Sequence, residues 1–440
     1  MAEKVSRYNM EIEHTDCMLL YNALTDALLP VSFKDYALVE TLMEHLPTFS
    51  DRYPDLYASF KKSGFIIDQA FDEQAYIKLQ NKRRVYAHND YHITVNPTLD
   101  CNLKCWYCSV SYAGAKHNRE RMSDVTVDAL NKHIQHVVFH QKARSLLLDW
   151  FGGEPLMYYD EVMSKIATFA QAVAAEQKVD IRHQITTNAT LLNKERIQQM
   201  KDCNFYFFQI PIDGNEHRHN QIKYFRDKQG SYRKIIDNIN LLTEMIPNVY
   251  ITLRINYDKQ TLKNIRDILP DFTEQSKSRI TVDFQRVWQV PCTDKERELL
   301  KESKEYFAQS GFRSGFWAYR PKQFKRCYAD NYHYYAINYN GKVFKCTARD
   351  YDDDKVIGEL LESGVISWND AILSKLFEKA TFENEMCENC KMLPLCMGPC
   401  IQKCYEARLK NTQLTCMYQN VEYALSDHII ETARKRNLIQ

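Results

Sequence analysis

From Asp100 to Cys108 the chain reads Asp-Cys-Asn-Leu-Lys-Cys-Trp-Tyr-Cys, which sets Cys101, Cys105 and Cys108 in a CxxxCxxC spacing. The loop follows an alternating run, His92 to Pro97, that reads as a strand. Three thiolates in so short a loop can hold three irons of a [4Fe-4S] cluster, which otherwise takes four cysteines. One iron is then left open to a ligand that is not protein. Close cysteine pairs also suit tetrahedral zinc, but a single triplet with no fourth ligand close by falls short of that site.

With an aromatic residue, Tyr107, just before the third cysteine, the loop resembles that of radical S-adenosylmethionine (radical SAM) enzymes. The resemblance implies that SAM chelates the open iron and that one electron splits it into methionine and a 5'-deoxyadenosyl radical. That radical then takes a hydrogen atom from the substrate. An electron donor such as flavodoxin or ferredoxin is implied with it.

At 440 residues the chain is too long for one ordinary core, and two or three domains are expected. Lys plus Arg number 58 against 57 Asp plus Glu, so the net charge of +1 gives no broad basic face for nucleic acid. No run of about 18 apolar residues offers a membrane span. Met1 to His14 is charged and lacks the apolar core of a signal peptide, which places the chain in the cytoplasm as an expectation. Fourteen cysteines in a long chain of this kind point to metal binding rather than disulfides. Three lie in the loop and eight between Cys327 and Cys416, leaving Cys17, Cys203 and Cys292 scattered.

Residues 1–88 read as a small module. Met18 to Asn22 and Leu28 to Ser32 suggest a hairpin, and Phe33, Tyr36, Val39, Leu42 and Leu46 a helix stopped by Pro47. A second helix, Pro54 to Lys62, and a strand at Phe65 to Ile67 complete a winged-helix-like pattern. Similar modules in peptide-modifying enzymes bind a leader peptide as an added strand; a capping subdomain without a ligand is the alternative. Asn81 to Arg84 reads as a solvated helix face.

Residues 89–290 alternate strand and helix. Strands are expected at His92 to Pro97, Leu146 to Phe151, Ile181 to Thr187, Phe205 to Ile212, Tyr250 to Ile255 and Ile280 to Val287. Helices fall between them, the last near Lys263 to Leu269 and stopped by Pro270. Strands separated by helices imply a parallel sheet, and six units match the partial (β/α)6 barrel of the radical SAM fold, an α/β architecture. Active sites of such barrels collect at the C-terminal strand ends.

Motifs stand at those ends. Gly152-Gly153-Glu154-Pro155 closes the second strand, with two glycines that let a ligand approach the backbone and a Glu that can accept from an ammonium group. It resembles the family's GGEP motif, whose Glu holds the SAM amino group. Thr187-Asn188-Ala189-Thr190-Leu191 resembles the family's Thr-Asn-Gly-Thr-Leu near the SAM ribose, and Ala189 in place of Gly implies that no positive φ is needed there. Pro211-Ile212-Asp213-Gly214, then His219 and Lys223, resembles the Ser-x-Asp-Gly segment followed by His and Arg. Lys223 can offer charge to the SAM carboxylate but no bidentate fork. The resemblance thus assigns cofactor contacts to Tyr107, Gly152, Gly153, Glu154, Asn188, Asp213 and Lys223. His217 and His219 read as hydrogen-bonding or solvated loop residues.

Cys327 and Cys346 flank a tyrosine-rich hairpin containing Gly341, and Cys387, Cys390, Cys396 and Cys400 run as CxxCxxxxxCxxxC before Cys416. These cysteines resemble the SPASM domain, which carries auxiliary [4Fe-4S] clusters in radical SAM peptide modifiers. A zinc ribbon would account for Cys387 and Cys390 alone. The resemblance assigns Cys387, Cys390, Cys396 and Cys416 to one auxiliary cluster and Cys327, Cys346 and Cys400 to the other. For the second, the extra cysteine of sulfatase maturases is replaced by His333, with Cys404 and Cys292 as further candidates. An Asp that those maturases place after the cysteine aligned with Cys346 is here Thr347, which counts against sulfatase maturation.

The domains expected are therefore 1–88, a barrel at 89–290, a bridging segment at 291–325, a SPASM domain at 326–420 and a C-terminal helix at 421–440 packed on the barrel. The implied function is a maturase that crosslinks a ribosomally made precursor peptide through a thioether or carbon–carbon bond. Alternatives are oxidation of Cys or Ser to formylglycine, or an inactive peptide-binding scaffold. No catalytic residue is singled out, and peptide, bond formed and oligomeric state are not readable from the residues.

Overall fold

The computed structural model describes residues 2–87, 89–108, 110, 120–287, 289–290, 293–313, 324, 326–348, 351–416 and 425–439. The chain forms two compact units, each discontinuous in sequence. One comprises Met1–Ala87, Tyr319–Tyr332 and Ser374–Gln440; the other comprises His88–Ala318 and His333–Leu373.

In the first unit, β2 (Asn9–His14), β3 (Cys17–Asn22) and β4 (Ala27–Ser32) form an antiparallel meander, while β1 (Glu3–Val5) pairs with β5 (Ile66–Asp68). Side chains alternate along β3, so Leu20 enters one core with Phe49, Phe60 and Phe65, while Leu19 and Tyr21 enter another with Leu393, Leu395 and Met397. Helix α1 (Phe33–Glu44) is capped by Ser32, which accepts from Asp35 N. Pro47 does not simply stop the chain's helix: it stands in the first turn of α2 (Leu46–Arg52), where its missing N–H costs nothing. Pro54 opens α3 (Pro54–Lys62) in the same way, and α4 (Glu73–Val85) follows. On α4, Asn81 is buried and accepts from Arg326, and Arg84 donates to Phe324 O at 2.9 Å, so the basic run is only partly a solvated face. The C-terminal helix, Leu425–Lys435, buries Ile429 and Ala433 in the core of this unit, against β2 and β3. The expectation that it packs on the barrel is corrected: its apolar stripe covers the sheet of the first unit.

The second unit is built on one ten-stranded sheet. It contains β6 (Asp90–Val95), β8 (Ser145–Trp150), β9 (Asp180–Thr186), β10 (Phe205–Ile212), β12 (Tyr250–Tyr257) and β13 (Ile280–Arg286), all parallel. β7 (Leu103–Cys105) and β11 (Lys223–Phe225) form a separate antiparallel pair. Beyond the six expected strands, β14 (Tyr334–Ile337) joins β6 in parallel, and β15 (Lys342–Phe344), β16 (Gly358–Leu360) and β17 (Ile366–Trp368) continue antiparallel. The tyrosine-rich hairpin is therefore part of the barrel's own sheet. Tyr334 and Tyr335 are buried in it, whereas Tyr328 and Tyr332 are exposed.

Crossover helices cover the sheet, among them Asp124–Phe139, capped by Ser123, and Lys194–Asp202, capped by Asn193. Beneath them Trp150, His183 and Phe205 stack, and Trp150 Nε1 donates to His183 Nδ1 at 3.1 Å. Pro270 lies inside a 3-10 segment, Ile265–Asp271, which follows the helix Lys259–Asn264; it does not end the helical stretch. The segment read as bridging carries a helix, Asp294–Gln309, started by a Thr293–Glu296 capping box. No helix among the described residues is long and apolar enough to cross a membrane.

Candidate functional site

Every motif singled out in the barrel stands after the C-terminal end of a parallel strand, and the loop 101–108 is clamped by its neighbours there. Lys223 on β11 lies opposite Cys105 on β7, and its Nζ approaches Cys105 Sγ at 3.6 Å. Leu103 N donates to Cys101 Sγ at 3.4 Å, and Asn188 Nδ2 lies 3.8 Å from the same sulfur. Arg226 donates to Asp100 and, at 2.9 Å, to Cys101 O. Burial pushes the Cys101 thiol up, and the charges of Glu154, Cys105 and Cys108 add to the rise, so the three sulfurs share one neighbourhood. Burial likewise raises Cys105, which Lys223 partly offsets.

The two glycines let two loops pack closely. A Cβ on Gly152, at φ +109°, would lie 2.3 Å from Thr98 O, and one on Gly153 would lie 2.0 Å from Asp100 O. The backbone leading into the cysteine loop occupies the space that side chains at these two positions would need. Gly153 N and Glu154 N donate to Thr98 O and Asp100 O at 3.0 and 2.8 Å, which stitches the two loops together.

Glu154 is fully buried and accepts from Asn188 N and Thr187 Oγ1, both at 2.7 Å, and from Leu156 N at 3.0 Å. Burial pushes its carboxyl up to about 7 in spite of those bonds. Asn188 also donates to Asn102 Oδ1 at 2.8 Å and accepts from Thr190 N at 3.0 Å. Between them Ala189 adopts φ +61°, which corrects the expectation that this position needs no positive φ. Its carbonyl is held by Asn238 Nδ2 at 2.7 Å, and that bond and the Asn188 turn fix a left-handed conformation that alanine resists by about 1–2 kcal/mol.

Tyr107, Asp213 and Lys223 meet in a buried cluster. Lys223 Nζ lies 3.0 Å from Asp213 Oδ2 and donates to Tyr107 OH, which in turn donates to Asp213. Burial acts to lower the Lys223 pKa, but Asp213, Cys105 and Tyr107 carry it well above its usual value; burial and Asp213 raise Tyr107. Asn256, which the sequence reading missed, donates to Tyr107 OH at 3.1 Å and Asp213 Oδ1 at 3.2 Å. Arg226, also missed, carries no motif signal beyond its charge. His219 stands not in a loop but on the helix Glu216–Ile222, buried, its Nδ1 accepting from Asp213 N at 3.2 Å and its Nε2 bonding Ser231 at 3.0 Å.

In the first unit Cys387, Cys390, Cys396 and Cys416 converge. Burial pushes Cys396 up to about 12, and Cys387, Cys416 and Cys390 contribute through their charges. Cys387 rises through burial and through Cys390 and Cys416. Cys404, one turn beyond Cys400 in the helix Ile401–Leu409, is buried with its thiol 3.7 Å from Thr381 O. Cys327 and Cys400 belong to the first unit and Cys346 to the second. His333, also in the second, packs its ring 4.5 Å from that of Tyr91, while Cys292 lies outside the described residues. Among the described residues no three His, Cys, Asp or Glu close on a single metal ion.

A model of the radical SAM superfamily matches residues 95–269, the span that carries the cysteine loop, Glu154, Asn188, Asp213 and Lys223. Residues 95–269 form a radical SAM domain. The chain is 24% identical over 331 residues, 68% of its length and 85% of the relative's, to a cysteine-type anaerobic sulfatase-maturating enzyme of Clostridium novyi. It is 28% identical over 144 residues, 32% of its length and 34% of the relative's, to a serine-type anaerobic sulfatase-maturating enzyme of Bacteroides thetaiotaomicron. Among solved structures, anSMEcpe with bound AdoMet and Cp18Cys peptide matches with TM-score 0.55 and 17% identity, over 78% of this chain and 97% of that one. Streptococcus suis SuiB bound to precursor peptide SuiA matches with TM-score 0.50 and 14% identity, over 91% and 96%. At these identities the two structures speak for the fold alone, which this chain shares.

Proposed function

We propose that this enzyme modifies a ribosomally made peptide and closes a thioether or carbon–carbon crosslink within it. Cys101, Cys105 and Cys108 would hold a [4Fe-4S] cluster, and the N–H and ammonium groups around their sulfurs suit that donor set. Tyr107, Gly152, Gly153, Glu154, Asn188, Asp213 and Lys223 would surround SAM. Cys387, Cys390, Cys396 and Cys416, all in the first unit, would hold an auxiliary cluster. When bound, these groups supply the radical that removes a hydrogen atom and a sink for the electron released as the crosslink closes.

The chain's own residues bind, orient and exclude water. Glu154 is a buried acceptor whose carboxylate favours an ammonium partner, because a cation beside it offsets the desolvation that raises its pKa. Thr187 and Asn188 fix the orientation of that carboxylate. The Lys223–Asp213 pair keeps charge in place beside Cys105, and Tyr107 and Asn256 lock it. The β2–β3–β4 sheet with α1 to α3 serves in this reading as a winged-helix-like site where a leader peptide adds a strand. A cytoplasmic flavodoxin or ferredoxin would deliver electrons.

Thr347 carries the choice of crosslinking over formylglycine formation, since it replaces the acidic residue expected after Cys346 in a sulfatase maturase. Anaerobic incubation of the cluster-loaded enzyme with SAM, dithionite and any short peptide found encoded beside its gene tests the reading. Release of 5'-deoxyadenosine in step with peptide consumption is expected. Deoxyadenosine without any change in the peptide contradicts peptide modification, and no deoxyadenosine at all would leave an inactive scaffold.

A further inference from the structure

One face of the barrel sheet carries a polar row. Thr94 Oγ1 on β6 lies 3.1 Å from Tyr334 OH on β14 and 3.4 Å from Asp149 Oδ2 on β8, and His92 Nε2 lies 3.3 Å from the same carboxylate. Tyr335, the next residue on β14, bonds His133 of the crossover helix Asp124–Phe139 instead, so the polar row faces away from that helix. Side chains alternate along a strand. Two residues beyond Thr94 and Ala336, this face therefore receives Asn96 and Asn338. The two are neighbours, because β14 and β6 run parallel with Ile337 opposite Val95 and Asn96 N donates to Ile337 O at 2.9 Å.

Both asparagines are buried, at 0% and 2% exposure. Neither the amide nitrogen nor the oxygen of Asn96, nor the oxygen of Asn338, meets a hydrogen-bond partner among the described residues. Buried carboxamides with open donors and acceptors are destabilising and rare unless a partner arrives. These two stand at the strand ends where the cysteine loop begins; a Cβ on Gly152 would lie 3.3 Å from Asn96 Cβ.

A carboxamide presents an N–H donor and a C=O acceptor side by side, the complement of a peptide group. Such a contact reads main chain and ignores side-chain identity. Of the residues proposed for SAM, Tyr107 lies in the cysteine loop and the others follow β8, β9 or β10, strands on one side of β6, whereas Asn338 follows β14 on the other side and lies outside the span 95–269. We propose that Asn96 and Asn338 together bind a main-chain peptide group of the segment being modified and hold it beside the three-cysteine loop. This rests on the peptide-modifying reading above.

The test uses full-length, cluster-loaded enzyme under anaerobic conditions and a fluorescein-labelled synthetic copy of a short peptide that the wild-type enzyme consumes, chosen from those found encoded beside the gene. Anisotropy reports peptide affinity, equilibrium dialysis reports SAM affinity, and thermal unfolding reports the peptide-free protein. Asn96→Leu and Asn338→Leu are each expected to weaken peptide binding about tenfold, as loss of one buried hydrogen-bonded contact does. SAM affinity should move less than twofold, and the Tm of the peptide-free protein should rise because an unpartnered amide is gone. Asn96→Asp and Asn338→Asp, which keep size but lose the donor, should weaken peptide binding as well and serve if the Leu variants fail to fold.

Unchanged peptide affinity in variants of an enzyme that binds the wild-type probe overturns the assignment. So does a loss confined to SAM affinity, or a fall in Tm with loss of iron and no specific peptide effect. A wild-type enzyme that neither binds nor alters any such peptide removes the peptide-modifying reading itself, and this inference with it.

Discussion

Lys223 Nζ lies 3.0 Å from Asp213 Oδ2, with both side chains buried beside Cys105. A buried ion pair of this kind is held together by mutual compensation, since either charge alone would be stranded without water. Lys223→Met should therefore lower stability by about 3–5 kcal/mol. Lys223→Met combined with Asp213→Leu should recover most of it. Chemical denaturation of the two variants checks this; a single variant as stable as the wild type would show that the pair carries no such load.

Glu154 sets a pH dependence. Its folded pKa of about 7 lies above the ordinary 4.5, so the folded protein binds the proton more tightly than the unfolded chain. Stability from this group is then full below about pH 4.5 and is lost as pH rises through 7, by at most about 3 kcal/mol. Binding of an ammonium group needs the carboxylate, so SAM affinity should fall about tenfold from pH 8 to pH 6. Glu154→Gln should bind more weakly with a flat profile, as measured by equilibrium dialysis. An unaltered profile in that variant would assign the pH effect elsewhere.

Three buried histidines act with the opposite sign. Burial lowers His133 to about 4 and both His183 and His219 to about 3. Each binds its proton more readily in the unfolded chain, so the stability they lend is complete above about pH 6.5 and lost as pH falls toward those values. The Tm should drop steeply between pH 6.5 and pH 4.5. His183→Phe should flatten part of that slope even though it leaves Trp150 Nε1 without its acceptor.

The glycine packing makes iron content a readout of backbone geometry. A methyl on Gly153 would meet Asp100 O at 2.0 Å, a contact that only a shift of the cysteine loop relieves. Gly153→Ala should purify with about four fewer irons per chain, one [4Fe-4S] cluster. Cys396→Ser should lose a similar number through the set in the first unit while keeping deoxyadenosine formation measurable. Iron assay with electron paramagnetic resonance of each variant distinguishes the two losses, and full iron in Gly153→Ala would contradict the packing argument.

Local signals were legible where punctuation was strong. α3 and β10 run between the residues that a proline and an apolar run marked. The cysteine loop and Glu154 were visible because their chemistry is carried by residue type and spacing. Long-range pairing was not: β14 joins β6 across a separation that no periodicity encodes, and β2 is too polar in its alternation to announce a strand. Ala189 shows how one hydrogen bond from a distant residue, Asn238, together with a local turn at Asn188 overrides an intrinsic backbone preference. The packing of Gly152 and Gly153 against Thr98 and Asp100 was not legible, because only the fold shows what lies against them. The two-unit division escapes contiguous reading altogether, since Met1–Ala87 shares a core with residues 374–440.

The central claim, peptide crosslinking, is tested most directly by the mass and fragmentation of any short peptide found encoded beside the gene after anaerobic co-expression with the enzyme. Loss of two hydrogens per site is predicted, with fragments that stay joined across the linked residues and no reaction with a hydrazide probe. A hydrazide-reactive aldehyde in a peptide that fragments normally would contradict crosslinking and place the chemistry with formylglycine formation instead.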